Sequence, residues 1–523
     1  MQSKKPIRPG KSRGFRRGSF LASALILPAI LFDTVLARGA ERINQEGRIL
    51  GPAPAVTNSV LFNTSQADAL VSAMQIFPVT SAWNEDISQR PLLPNSDAMI
   101  AQIISDLATN NRTLRVFKEM NFVLVPDNQP LVPIDFLVYP EDSDPGPWPI
   151  PSNMPIETWP GANTNTLSDW QKDTYDQGGD RHSIIVQPGA GFTWETWQAR
   201  FNGTNWEASN GAKFDLKNNT LRQAGLTSGD AAGLSMFPAL PRYDECERGM
   251  VEHACRIVVK RSRHEYIYPA THYASSTPAT QTNVPAMGQR VRLKSSFVIP
   301  SSWAKEEKAL LLGLKKYGAL VADNGSFFSI SITPDDRWPA NAFSHISSIG
   351  ITNFEVVQTT GATEGPRSLG APSANAGADQ TVPFGAPLHL NGFVSFSGAL
   401  PAIRWQLYSG PGNVSFSDST LTNSSVTVTN PGVYAFLLSA ADGVHAVAYD
   451  AVLFTVTKSV TLAIAPSGTN ISLSWTGAAP PYVVEQSDTL AAGSSWSTVL
   501  TTNGTSVRLP ITASSRFFRV RGQ

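Results

Sequence analysis

A chain of 523 residues in which 41 Lys and Arg balance 41 Asp and Glu carries no formal net charge, and only 16% of it is charged. A single core stops growing at roughly 250–300 residues, so several domains are expected, while the charge balance argues against a broad nucleic-acid-binding surface. The 39 Gly, 38 Pro and 12 Trp suit short strands joined by many turns, with aromatic rings to spare for binding faces.

The chain opens on Lys4, Lys5, Arg8, Lys11, Arg13, Arg16 and Arg17, and an apolar run follows from Phe20 to Phe32, interrupted by Ser23 and Pro28. A basic stretch ahead of a short apolar one predicts a secretory signal over residues 1–37, with Val35-Leu36-Ala37 at the cleavage spacing. Arg16-Arg17 stands where a twin-arginine signal carries its pair, so that route and the ordinary secretory one are both open. The expected location is therefore secreted, periplasmic or cell-surface. No later segment reaches the roughly 18 apolar residues of a spanning helix, so an integral membrane protein is not expected. Residues 38–59 lack periodicity, contain Gly51-Pro52-Ala53-Pro54, and read as a tether.

Residues 60–358 read as one large module. Apolar residues at three- and four-residue spacing after Ser96 predict a capped helix through Leu107. Phe122–Val125 and Ile134–Val138 are strand candidates, and the Pro- and acid-rich stretch from Pro140 to Pro160 reads as a long surface loop of the kind that carries function. Further strands are predicted at His182–Val186, Phe192–Gln198, Ala254–Val259, Tyr266–Tyr268, Arg290–Phe297, Leu320–Ala322 and Phe327–Ile332. A helix is predicted from Ser302 to Tyr317, ended by Gly318. Many short strands with few helices predict a mainly β fold, an antiparallel sandwich or jelly roll with helical decorations. Cys246 and Cys255 would lie about 13 Å apart on one helix, so a disulfide between them needs a break, which Gly249 offers; bridged and free thiols both remain open.

Residues 359–373 are a Gly/Thr/Pro-rich linker. Beyond it, Asn375-Ala376-Gly377-Ala378-Asp379, Leu388-His389-Leu390-Asn391-Gly392, Trp405, Ser409-Gly410-Pro411-Gly412, Pro431-Gly432-Val433-Tyr434 and Ala440-Ala441-Asp442-Gly443 follow in order. Over residues 374–457 this resembles an immunoglobulin-like domain of the polycystic-kidney-disease (PKD) type, which implies a β-sandwich that spaces or binds. Residues 460–523, with Ile471–Trp475, Tyr482–Ser487 and Phe517–Val520 alternating as strands do, resemble the fibronectin-type tails of secreted bacterial proteins. The first module resembles uncharacterised secreted bacterial proteins, a resemblance that implies no activity.

No G-x-S-x-G, H-E-x-x-H, phosphate-loop or dinucleotide motif occurs, so serine hydrolase, zincin and nucleotide-dependent chemistries lose their support. Three clusters remain. Asp180 and His182 precede a strand, and Glu195 lies between Trp194 and Trp197, the aromatic-flanked carboxylate that glycosidic cleavage uses. Asp244 with His253 downstream offers an acid–base dyad, the carboxylate orienting the imidazole, while Asp244 and Glu245 beside Tyr243 also suit a helix N-terminus, which favours negative charge. Asp230 in a loop of small residues, His272, and Asp323 before a hairpin-like Asn324-Gly325 complete the set. The expectation is a secreted glycoside hydrolase with Glu195, Asp244, Glu245, Asp180, His182 and His253 as catalytic candidates. Trp194, Trp197, Asp230, Tyr243, His272 and Asp323 are the substrate-binding candidates, and the partner is a polysaccharide or cell-surface glycan. A noncatalytic glycan-binding or adhesion protein and a polysaccharide lyase are the alternatives. No cofactor, metal or nucleic acid is expected.

Overall fold

A computed structural model describes residues 42–161, 165–174, 179–359, 370–458, 460–478, 480–491, 494–512 and 516–522. The expected signal segment and residues 360–369 of the expected linker lie outside these.

The first module is built on two large sheets. One orders the strands Val60–Leu61, Val123–Leu124, Ser183–Gln187, Phe192–Trp197 and Asn210–Asp215. Side chains alternate across it, as the pleat dictates. Ile184 and Val186 join the large core shared with the second sheet, whereas Ile185 joins a separate core with Trp148, Ile156 and Trp206 on the other face. Both faces are thus covered, and each fully buried aliphatic side chain contributes about 2 kcal/mol.

The second sheet orders Phe354–Val356, Arg290–Leu293, Ala319–Asn324, Cys255–Val259, Phe328–Ile332 and Leu114–Lys118. The β-rich class holds, and the pairing is mixed: Val123–Leu124 runs parallel to Ser183–Gln187, Cys255–Val259 to Ala319–Asn324, and Phe328–Ile332 to Leu114–Lys118. Asn324-Gly325 therefore does not close a hairpin. Cys255–Val259 lies between the two strands that this turn joins, and the turn carries the chain across its end. Tyr266–Tyr268, expected as a strand, contributes only an isolated bridge from Tyr266 to Met287.

The helices follow the sequence closely. Ser96–Asp106 forms as expected, but Ser96 does not cap it: its buried hydroxyl accepts from the Val356 backbone N–H at 2.8 Å, tying the helix to the second sheet. Lys305–Lys316 is helical, the Glu307 carboxylate accepts from the Ala304 N–H at 3.0 Å, and Gly318 at φ +64° turns the chain into the next strand. Tyr243–Arg248 ends at Gly249, φ +98°, so the expected break exists; even so, Cys246 and Cys255 are buried free thiols.

Residues 42–50 are packed onto the fold, whereas Pro52, Ala53, Ala55, Thr57 and Asn58 in the rest of the expected tether are exposed. Arg48 and Asn44 meet the Glu252 carboxylate at 3.0 and 3.1 Å, and Glu46 pairs with Lys316. The Ile49 N–H donates to the Tyr408 hydroxyl of the immunoglobulin-like domain at 3.1 Å. The charges of Glu46 and Arg48 help to hold residues 42–50 down.

Residues 373–457 carry sheets of two, four and three strands around Trp405, Tyr434, Phe436 and Phe454. The final segment has two three-stranded sheets around Leu473, Trp475, Tyr482 and Val484. No helix among the described residues is long and apolar enough to cross a membrane.

Candidate functional site

A cavity of about 430 Å³ opens between the sheets of the first module, and Asp180, His182, Trp197, His272 and Asp323 line it with Tyr139, Asp142, Asn210 and Asn324. A second cavity, of about 240 Å³, shares Asp180, His182, Asp323 and Asn324 with the first and adds Glu119, Glu157, Arg256, Phe117 and Phe327. Five sequence candidates therefore meet at one place.

His182 arrives there because Arg181 adopts a left-handed backbone, φ +50°, which costs a side-chain-bearing residue about 1–2 kcal/mol. The buried Arg181 offsets this through hydrogen bonds to the Ala199 and Trp170 carbonyls and an ion pair with Asp173 at 3.1 Å. The ring of His182 then lies between two acceptors: Nδ1 is 2.9 Å from the Glu157 carboxylate and Nε2 is 2.9 Å from the Gly229 carbonyl. Both nitrogens must donate, so the ring is an imidazolium. Burial opposes that charge, but the Glu157 carboxylate outweighs it and lifts the His182 pKa to about 9. Glu157 is held below its usual range despite burial, chiefly by His182.

Asp323 is placed by a β-bulge. Its strand pairs residue for residue with Cys255–Ile257, then slips so that Asp323 faces Val258 and Ala322 is the extra residue. Bulges re-aim side chains in this way. The slip brings Asp323 within 3.5 Å of Arg256, whose guanidinium already grips the buried Asp230 at 2.8 and 3.0 Å. Burial first, and the Asp230 charge second, push the Asp323 carboxyl up to about 6, against the pull of Arg256 and of the Asn324 N–H at 2.7 Å. The side chain remains 26% exposed, enough to meet a ligand. Behind it, Arg256 donates to Ser331 at 3.0 Å and Ser331 donates to Glu119 at 2.7 Å; burial, then Glu157, raises the Glu119 pKa.

The aromatic wall is Trp197 stacked on Tyr139, centroids 6.3 Å apart and planes 29° apart. The Trp197 indole N–H donates to Asp180 at 3.3 Å, which orients the exposed carboxylate beside the ring. His272 is fixed by its Nδ1, 2.8 Å from the Ala231 carbonyl.

Other candidates lie elsewhere. Glu195 is fully buried on a central strand, where both faces are covered. Its oxygens accept from Ser235 Oγ at 2.7 Å, the Met236 and Phe237 N–H groups at 2.7 and 3.0 Å, and Thr193 Oγ1 at 3.2 Å. It anchors the turn at Phe237 and is out of reach of a substrate. Trp194, on the opposite face, packs against Trp148 under the Lys213 ammonium. Asp230 is sealed beneath Arg256 and does not line either cavity.

Asp244, Glu245 and His253 form a separate ion cluster. Asp244 pairs with Arg248 at 2.6 Å, while the Glu245 carboxylate meets the Arg242 guanidinium, accepts from the Arg242 backbone N–H ahead of the helix and meets the His253 ring, all at 3.1–3.2 Å. The expected Asp244–His253 dyad does not form, because Glu245 takes the imidazole; the helix-terminus reading accounts for the acids. Tyr243 lies under the Arg337 guanidinium and against Trp338. Glu119, Glu157, Arg256 and Tyr139 were not legible as site residues, although Tyr139 and Glu157 flank or lie in the proline-rich stretch expected to carry function.

Comparison with known proteins bears on the tail. Residues 376–456 match a PKD domain family, as their motifs suggested. Among solved structures, the PKD domain from the KIAA 1837 protein is 23% identical, covering 19% of this chain and 91% of that one, with a TM-score of 0.15. The PKD domain of human KIAA0319 is 18% identical over 19% and 91%, TM-score 0.16. The fibronectin(III)-like modules of Clostridium thermocellum CbhA are 13% identical over 28% and 83%, TM-score 0.15. No curated protein matches the sequence.

Proposed function

We propose that the first module is an exported glycan hydrolase that works in the paired cavities, with Asp323 as proton donor and Asp180 as the second carboxylate. One observation carries the reading: a partly exposed carboxyl poised near pH 6 that lines the same cavity as a stacked Tyr139–Trp197 wall. A carboxyl that holds its proton in mildly acidic water is suited to give it up in a transition state.

In this reading a sugar ring lies on the aromatic wall. The Asp323 Oδ–H protonates the glycosidic oxygen, the C1–O bond breaks toward the leaving sugar, and positive charge develops on the ring. A water then bonds to C1 and its proton passes to Asp180. His182 touches no reacting atom; as a fixed cation paired with Glu157 it positions the Gly229 loop and moderates the rise of the Asp323 pKa. Residues 1–37 direct the chain out of the cytoplasm, and the PKD-like and fibronectin-like segments space the module from, or attach it to, a surface.

Among the described residues no lysine or arginine lines the larger cavity, which weighs against the lyase alternative, whose uronate substrates call for a cation beside their carboxylate. The test is release of reducing ends from a polysaccharide panel by the full chain and by Asp323→Asn and Asp180→Asn. Turnover lost in both variants, with glycan binding kept, supports the reading. Binding without turnover in the unaltered protein would return it to a noncatalytic glycan-binding role.

A further inference from the structure

Resting on that reading, we infer that the larger cavity selects a glycan by charge: it takes amino-sugar polymers best, accepts neutral ones, and rejects uronates and sulfated sugars. Its rim carries Asp142, Asp180 and Asp323, and among the described residues no lysine or arginine lines it. The imidazolium of His182 in the described wall has both ring protons committed to Glu157 and Gly229 and has none left for a ligand anion.

A second observation is independent of the carboxylates: the stacked Tyr139–Trp197 pair gives the cavity an apolar face of the size of a sugar ring. The polar part of the wall is weighted toward carboxyl groups, three of them, with no Lys or Arg among the described lining residues to meet an anion. Hydroxyls and ammonium groups of a glucosamine-type sugar supply donors; a carboxylate or sulfate supplies only further acceptors and like charge. Repulsion of like charge at a desolvated contact exceeds the roughly 1.4 kcal/mol that corresponds to tenfold in affinity.

The test is calorimetric binding to the full chain of three oligomers of matched length: fully deacetylated chitosan, cellulose and polygalacturonate hexamers, at low and high salt. Chitosan hexamer is expected to bind tightest and to weaken with salt, cellohexaose to bind without salt dependence, and hexagalacturonate to bind at least about tenfold more weakly than either. Asp142→Asn with Asp180→Asn is expected to narrow the gap between chitosan and hexagalacturonate. Equal or tighter binding of hexagalacturonate, or a gap unmoved in the double variant, overturns the inference and leaves the hydrolase reading standing. Binding of none of the three overturns both.

Discussion

Asp323→Asn is expected to make the protein more stable at neutral pH while abolishing turnover. Asp323 has its pKa raised from an ordinary 3.8 to about 6, so its charged form is disfavoured in the fold. At about 1.4 kcal/mol for each pH unit, that rise corresponds to roughly 3 kcal/mol. The sign follows from proton binding: between pH 3.8 and 6 the folded state holds a proton that the unfolded chain has released, so stability falls as pH rises through that window and is level above it. Asparagine is isosteric with the protonated acid, keeps an oxygen to accept from the Asn324 N–H, and never ionises. The gain should be near zero at about pH 3 and about 3 kcal/mol at about pH 7.5. Urea unfolding followed by tryptophan fluorescence, with wild type and variant compared at each pH, reads this directly. A destabilised variant at neutral pH, or a difference that does not change with pH, would refute the claim that a disfavoured charge is kept at this site.

Glu157→Gln removes the counter-ion of a buried imidazolium and should cost about 3 kcal/mol at about pH 6. Because the His182 pKa is raised from 6.5 to about 9, the stabilisation that this pair supplies is complete below pH 6.5 and lost as pH climbs through 9, so the penalty should shrink over that range when unfolding is followed against pH. Glu195→Gln should destabilise by about 1–3 kcal/mol, since one oxygen that accepts only from the Met236 N–H or the one shared by three donors becomes an NH₂ group; glycan affinity of the folded fraction, measured by calorimetry, should be unchanged. Trp197→Ala should raise KM roughly tenfold through loss of the stacking face, with a smaller effect on kcat, in steady-state assays on a cleaved glycan.

The β-rich class, the two main helices of the first module and the PKD-type motifs were legible because each rests on local pattern: alternation, capping and turn residues. Strand order was not. Nothing in Asn324-Gly325 reveals that Cys255–Val259 comes between the strands it joins, since that pairing is made between segments far apart in the chain. The same limit explains the site. His182, Asp180 and Asp323 could be singled out one at a time, but the bulge that re-aims Asp323 and the Arg256 bridge exist only once parallel strands pair. Glu195 misled for a related reason: an acid between tryptophans looks like an exposed sugar platform until its side chain proves to face the interior, where it is buried and satisfied by Ser235 and the Phe237 turn.

The most direct test of the account is the pH profile of reducing-end release from the best-bound glycan, for the full chain and Asp323→Asn side by side. The account predicts that kcat/KM falls as pH rises through about 6, where Asp323 loses its proton, and that the variant binds the same glycan yet releases nothing at any pH. Full activity in Asp323→Asn, or a profile that stays level from about pH 5 to 8, would contradict it.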